Sequence, residues 1–554
     1  VQADMALFTF TPLGGAGEIG MNMYLYGYGP RTKQRYIVVD VGVTFANMES
    51  SPGIGIILPN LETLVRLESQ IEAIFLTHGH QDHVGAIGHA AAMLKVPIYA
   101  QPFSRRIAGA RLVDKGIAID RITPCGKWPE TITAGPFEVG YLPISHSTPE
   151  SAGLVIETPS GRAIHSGDFK LDPDPVVGDP YDPTLWDAVA RDGIVALMCD
   201  STNATIEGGS RSESSLSDNL ESLFRRSSGM IVATTFASHV ARLNQLARTA
   251  AACNRSVALT GRAMEMTVSA AVETGIIEPF PNLVTVKQAK DMPREEICLL
   301  ATGSQGEPRS AVSMLSSGRS YRGLKIMPGD TVLYSSRTIP GNELSVGRVL
   351  NNLARRGAHV YDDSVRHYHV SGHPDQEDLV AMHKVVKPDM VVPIHGEVRH
   401  LMAHAELARA HGHRAMVVEN GTTIDILKRR AIEADLPTGR IHIDGKINAG
   451  LENDFIRDRL RMAQEGHVAV SIATRNGKVT RNGVMVLATG LPTPAQDAIG
   501  EDIRARLRSH LDSLSRRVMA DDADLEDEIL KEIVPALTNT VGKRPKVTVA
   551  IHRT

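Results

Sequence analysis

The run "IEAIFLTHGHQDHVG" (71–85) constrains this chain more than any other stretch. An apolar segment of strand length ends abruptly in His78, His80, Asp82 and His83. Histidine is a weak helix former and an awkward core residue, so four potential metal ligands in six positions have no common structural role. In an extended segment, His78 and His80 fall on one side, where both reach one ion at about 2.0–2.1 Å. Asp82 and His83 follow where the backbone turns into a helix over "HVGAIGHAAAML" and point to a second position. Two ions about 3.5–4 Å apart can share four side chains that one ion holds with difficulty. The fold must therefore gather strand ends along one edge.

A metal pair needs more ligands, and other strand ends offer them. His146 closes "GYLPISH", Asp168 closes "AIHSGD" and His395 closes "VVPIH". A carboxylate such as Asp168 can bridge two cations, which a neutral imidazole cannot. An isolated histidine is more often a hydrogen-bonded structural residue than a ligand, and His89, His165 and His383 are read that way.

At 554 residues, two to four domains are expected. A composition of 42% hydrophobic and 22% charged residues is that of a globular protein. The net charge of −4 selects no partner, so a nucleic-acid binder would need a local basic groove. Cys125, Cys199, Cys253 and Cys298 form no C-x-x-C, which points to a reducing cytoplasm rather than a disulfide framework. No apolar run has membrane-spanning length, and "VQADMALFTF" lacks the features of a signal peptide. The residues before Met5 read as an addition to the natural start.

Residues 8–200 hold short β runs ending in turns, among them "RYIVVDVG", "FEVGYLPISH" and "GIVALMCDS". From about 206 the texture becomes regular alternation of helix and strand, which predicts a parallel sheet flanked by helices. "SLSDNLESLFRR" opens it, with Ser215 or Ser217 as the expected cap. The strand-then-histidine texture returns at 367–396, so the second domain interrupts the first. Beyond 455, "HVAVSIATRNGKVTRNGVMVLATG" predicts strands with turns at Asn476–Gly477 and Asn482–Gly483. The charged helices that follow read as solvated faces. The expected boundaries are 1–205 and 367–450 for the split first domain, 206–366 for the insert, 451–465 for a linker and 466–554 for a small α+β domain.

H-x-H-x-D-H after an apolar strand resembles the signature of the metallo-β-lactamase superfamily. "LGGAGEIGMN", "HSTPESAG", "HSGDFKLDP", "CDSTNA", "FASHVARL", "GSQGEPRSA", "SSRTIPGNE", "HVSGHPDQEDL" and "PIHGEVRHL" occur with it in order. Together they resemble the bacterial ribonuclease J family of β-CASP nucleases through nearly the whole chain. The resemblance implies an α/β fold: an αββα metallo-β-lactamase sandwich interrupted by a parallel α/β β-CASP domain, plus the α+β C-terminal domain. It implies two zinc ions, with manganese or magnesium as alternatives. His78, His80 and His146 would hold one, Asp82, His83 and His395 the other, with Asp168 bridging and Asp40 orienting a ligand histidine. His373 supported by Asp200 is read as the proton donor to the leaving oxygen, or as a phosphate ligand. His369, Val370, Ser371, Gly372 and His373 would contact the RNA backbone, with Ser238, His239 and Val240 forming part of a 5′-monophosphate pocket. A helix cap is the plain alternative for Ser238. Arg262, Arg309 and Arg337 read first as surface arginines.

The implied activity is that of a cytoplasmic ribonuclease in RNA maturation and decay, mainly a 5′-to-3′ exonuclease preferring 5′-monophosphate ends, with internal cleavage open as a second mode. The implied partners are single-stranded RNA, a homodimer or homotetramer, and an RNA helicase or another nuclease. The chain departs from the family pattern at Gln81, at Ala263, at Pro374–Asp375 and in "TFANMESSPGIGI" (44–56). That last stretch has Glu49 as its one acid, which argues against a structural calcium site. Two other readings stand beside the nuclease: a non-RNA hydrolase of the same fold, and an RNA-binding scaffold subunit.

Overall fold

A computed structural model describes residues 6–46, 49–339, 341–434, 436–451 and 454–554. The residues before Met5, part of the 44–56 stretch and Pro340 of "SSRTIPGNE" lie outside the described residues. The chain divides into two compact units, 1–44 with 57–441, and 45–56 with 442–554.

In the first unit, two sheets face each other. One has eight strands in the order 430–432, 423–425, 7–14, 23–29, 35–39, 71–75, 98–100 and 122–124. The other has six, in the order 131–134, 137–143, 152–158, 161–165, 196–200 and 391–394. Alternate residues of each strand turn inward, so Phe10, Tyr26, Ile37, Val39 and Phe75 meet Phe137, Val139, Leu154, Met198 and Ile394 in one apolar core. Burying each large apolar side chain stabilises the fold by about 1.5–3 kcal/mol. The outward faces of the second sheet, including Ile164, Leu197 and Val391, are covered by helices Pro183–Ala190, Gln376–Val386 and Val398–Ala410. Burial on both faces explains why these strands are continuous apolar runs rather than alternating ones.

Strand direction positions the site. Arg35–Val39 runs parallel to Ile71–Phe75, and Gly161–His165, Ala196–Asp200 and Val391–Ile394 are parallel to one another. Their C-terminal ends lie together, as ligand sites do in α/β sheets. Asp40 and His395, just past two of these ends, have φ of 61° and 50°. Left-handed backbone at a non-glycine residue costs about 1–2 kcal/mol and gathers at functional sites.

Within the same unit, the insert forms a six-stranded, wholly parallel sheet in the order 283–284, 256–259, 297–301, 231–234, 331–334 and 359–361. Helices Val240–Ala252, Arg262–Glu273 and Glu343–Arg355 connect its strands, matching the alternation read from sequence. The expected cap is corrected: Ser212 caps a short 3₁₀ turn, Glu213–Leu216, and the helix Ser217–Arg226 has no side-chain cap. The turn packs as the start of the helix, so the capping role moves upstream of Ser215 and Ser217.

The second unit has a three-stranded sheet, His467–Arg475 between Lys478–Thr489 and Lys546–Arg553. Val468, Val470 and Ile472 pack on Leu507, Leu511, Leu525, Ile529 and Ile533 of its helices. Asn476 and Gly477, both at positive φ, make the expected hairpin turn. Asn482–Gly483 does not turn the chain. It lies inside Lys478–Thr489, where the register jumps from Thr474↔Val479 to Ile472↔Val484 and the extra residues bulge. The stretch 451–465, expected as a linker, is mostly the helix Asp454–Glu465, which buries Ile456 and joins the last strand through an Asp458–Lys546 ion pair at 2.8 Å. Among the described residues, no helix is long and apolar enough to cross a membrane.

Candidate metal centre

Seven side chains from four strand ends converge in two groups. His78, His80, His146 and Asp168 form one, and Asp82, His83, Asp168 and His395 the other. Asp168 belongs to both, and the ligand atoms within each group lie within 4.8 Å of one another.

Hydrogen bonds behind the site orient the imidazoles. The Thr77 N–H and hydroxyl donate to the two Asp40 oxygens, each at 2.8 Å. The Thr77 oxygen thus accepts from His78 Nδ1–H at 3.0 Å. His83 Nδ1–H donates to Asp40 at 2.8 Å, and His146 Nδ1–H donates to the Gly372 carbonyl at 2.5 Å. Each bond turns Nε2 inward, the usual way a ligand histidine is set. Gly372 must lack a side chain here, since a Cβ would sit 2.9 Å from Ser147 and 3.0 Å from the His146 ring.

The centre has the electrostatics of a cation site. His80 Nδ1 lies 3.2 Å from His78 Nε2 and 3.1 Å from His146 Nε2. Burial pushes all three imidazoles toward the neutral form, His80 down to about 4. In the other group, burial would depress His83 and His395, but Asp168 and its neighbouring carboxylates outweigh it and lift both, His395 to about 10. Positive charge is thus held among Asp40, Asp82 and Asp168. Asp168 Oδ2 and His395 Nε2 are buried, facing His83 Nε2 at 3.1 Å and Asp82 Oδ2 at 3.4 Å respectively. A donor set of imidazoles and carboxylates aimed inward fits divalent cations. Asp40→Asn is expected to leave the fold intact and weaken metal binding by about 10–100-fold, measured by competition with a chelating dye.

Beside the cluster, His373 Nδ1–H donates to Asp200 Oδ2 at 2.8 Å. Burial would lower the His373 pKa, but Asp200 and then Asp168 raise it above the ordinary value. The Thr202 N–H and hydroxyl fix the other Asp200 oxygen at 2.9 and 2.7 Å.

The expected substrate residues divide. His239 lines a narrow cleft with His146, Ser371 and Gly372. His369, Val370 and Ser371 line a larger cleft of about 540 Å³ with Asn203, Arg211 and Arg337. Val240 is fully buried and its N–H donates to the Ser238 carbonyl, so it offers a ligand neither group. The helix cap falls on His239, whose Nδ1 accepts from the Arg242 N–H at 3.2 Å, rather than on Ser238. Arg262 and Arg309 are exposed, while Arg337 reaches the larger cleft. His165 donates or accepts at Tyr26 inside the core, a structural role as expected.

Sequence reading missed Asn22, Glu213 and Arg242. Asn22 Nδ2 donates to the Asp82 carbonyl at 3.1 Å and lies 3.0 Å from His83 Nε2. Arg242 is completely buried, paired with Glu213, and donates to the Ser335 and Tyr368 carbonyls at 2.9 and 3.2 Å. It ties the insert to the segment that carries His369–His373. Arg242→Ala strands the buried Glu213 carboxylate and is expected to destabilise the protein by about 3–5 kcal/mol, read from denaturant midpoints. Asn22 and Arg242 sat inside quoted motifs, but nothing in the sequence indicated what they touch.

Family models match in four places. These are the metallo-beta-lactamase superfamily over 17–205, the ribonuclease J beta-CASP domain over 228–353, the Zn-dependent metallo-hydrolase RNA specificity domain over 358–418 and the ribonuclease J C-terminal domain over 454–554. The ribonuclease J of Sinorhizobium meliloti is 37% identical over 550 residues, covering 98% of this chain and 97% of that one. The chain belongs to the ribonuclease J family. The ribonuclease J of Thermus thermophilus is 31% identical, over 97% of this chain and 93% of its own. That of Helicobacter pylori strain J99 is 30% identical, over 98% and 79%. A solved protein of unknown function from Enterococcus faecalis superposes with a TM-score of 0.50 at 16% identity, over 76% of this chain and 99% of that one, a likeness of fold alone. The sandwich, the insert and the C-terminal domain are those of ribonuclease J.

Proposed function

We propose that this chain, a metal-dependent ribonuclease of that family, removes nucleotides from 5′-monophosphate ends of single-stranded RNA in the 5′-to-3′ direction. The observation that carries the reading is the convergence of seven side chains in two groups that share Asp168. His78, His80 and His146 would hold one cation, Asp82, His83 and His395 the other, with Asp168 between them. Such a pair, when bound, activates water for attack on phosphorus and offsets charge growing on the phosphate oxygens.

The protein's own groups do the rest. Asp40 and Thr77 keep the ligand imidazoles in one tautomer and orientation. His373 has Nδ1 committed to Asp200, so Nε2 is the atom that protonates the departing 3′ oxygen. The raised pKa keeps that proton in place at neutral pH. Ser371, Gly372 and His239 line the narrow cleft next to His146, where the Ser371 hydroxyl would meet an anionic 5′ end.

RNA labelled at its 3′ end and carrying either a 5′-monophosphate or a 5′-triphosphate tests this, with His80→Ala as control. Progressive shortening of the monophosphate form, lost in the variant, is the expected outcome. Discrete internal fragments from both RNAs would replace the exonuclease reading with an endonuclease. Binding without turnover in the presence of metal would make the chain a scaffold.

A further inference from the structure

On the outer face of the second sheet, away from the seven-residue cluster, three more ligand side chains meet. Cys199 on Ala196–Asp200, His383 on Gln376–Val386 and His404 on Val398–Ala410 are each fully buried. Their sulfur and ring nitrogens lie within 4.8 Å of one another. The surrounding layer is apolar, built from Leu197, Leu379, Met382, Val386 and Val391. Polar side chains there cost stability unless every donor and acceptor is paired.

They are not all paired. The Ser201 hydroxyl donates to the Cys199 carbonyl at 3.2 Å, so its oxygen accepts from His404 Nδ1–H at 2.8 Å. His404 Nε2 is then a lone pair, 3.0 Å from His383 Nε2. His383 carries its one proton between them, which leaves His383 Nδ1 buried with no partner. Burial keeps both rings neutral, His383 down to about 2 and His404 to about 4. Read from sequence as a hydrogen-bonded structural histidine, His383 does bond to His404, but its second ring nitrogen is left over.

We propose that Cys199, His383 and His404 form a separate site for a thiophilic divalent cation of the zinc type. One thiol and two neutral imidazoles are the soft and borderline ligands such ions select. On binding, the Cys199 sulfur and the two facing Nε2 atoms become the ligands, the His383 proton moves from Nε2 to Nδ1, and the Cys199 thiol proton passes to solvent as the sulfur–metal bond forms. The single positive charge left over lies near the buried Asp200 carboxylate, which already acts on both Cys199 and His404. The ion joins the strand that ends in Asp200, the helix that follows His373 and the helix that follows His395. It acts as a structural clamp behind the catalytic edge.

Cobalt(II) is the probe, because the seven-residue cluster has no sulfur. A sulfur-to-cobalt charge-transfer band therefore reports a cysteine site alone. Titrating the full chain should raise that band in the natural sequence and in Asp168→Ala. Cys199→Ser should lack it and bind one cobalt fewer per chain, and His383→Gln should need at least about tenfold more cobalt. A band retained in Asp168→Ala without RNA cleavage separates this inference from the ribonuclease reading. Circular dichroism confirms folding. Should His383→Gln fail to fold, the near-isosteric Cys199→Ser carries the test. No band at cobalt levels that saturate the catalytic cluster would overturn the proposal. So would a band unchanged in Cys199→Ser, which would place it at Cys125, Cys253 or Cys298.

Discussion

Replacing Asp168 with alanine is expected to lower RNA cleavage by at least about a thousandfold and to empty both halves of the metal centre at once. Asp168 Oδ1 accepts from His395 Nδ1 at 2.7 Å, while Oδ2 lies 3.1 Å from His83, 3.8 Å from His78 and 3.9 Å from His146. It is the one residue common to both groups of ligands. Metal catalysis contributes several kcal/mol of transition-state stabilisation, and each 1.36 kcal/mol is about tenfold in rate. His80→Ala removes a ligand from one group alone, so it should release fewer cations per chain. Metal content measured beside kcat checks this. If Asp168→Ala kept both cations at unchanged affinity, the bridging assignment would be wrong.

His373→Ala should reduce kcat by about 10²–10⁴-fold while leaving metal content unchanged. Its imidazole touches Asp200 and lies 3.9 Å from Asp168 Oδ2, close to the cluster but outside both proposed ligand sets. The pH profile gives a second readout. His373 has a raised pKa, so its protonated form persists above the ordinary histidine range and is lost as pH rises through the raised value. A proton donor therefore places an alkaline limb in the rate profile, and that limb should vanish in the variant. An RNA with sulfur at the scissile 3′ position, whose leaving group needs no proton, should restore much of the rate. If His373 were only a phosphate ligand, the sulfur substrate would be cut as poorly as the ordinary one.

How far such a site can be read before folding depends on how local its chemistry is. His78 to His83 stood out because four potential ligands crowd one strand end, and no helix or core requires that. His146, Asp168 and His395 were legible as strand ends, and parallel strand direction then brings them together. Glu213 and Arg242 were not, because a charged pair buried between elements 29 residues apart leaves no periodic trace. Val240 was misjudged for a related reason: it sits in a motif that carries substrate-facing neighbours, yet its own position on the helix turns it into the core. The bulge at Asn482–Gly483 shows the limit of turn chemistry. The dipeptide suits a hairpin, but pairing on either side of it with one continuous partner strand overrides that preference. The short helix Asp454–Glu465 gave a weak signal because Ile456 is its one buried side chain.

The most direct test strips the protein of metal and restores it in steps. The stripped chain would be titrated with manganese or zinc while loss of a 3′-labelled, 5′-monophosphorylated RNA is followed, with bound metal counted at each point. Activity that stays near zero through the first equivalent and rises as the second catalytic site fills is the predicted result. Full cleavage by the stripped protein, or a maximum reached with one cation per catalytic centre, would contradict the account.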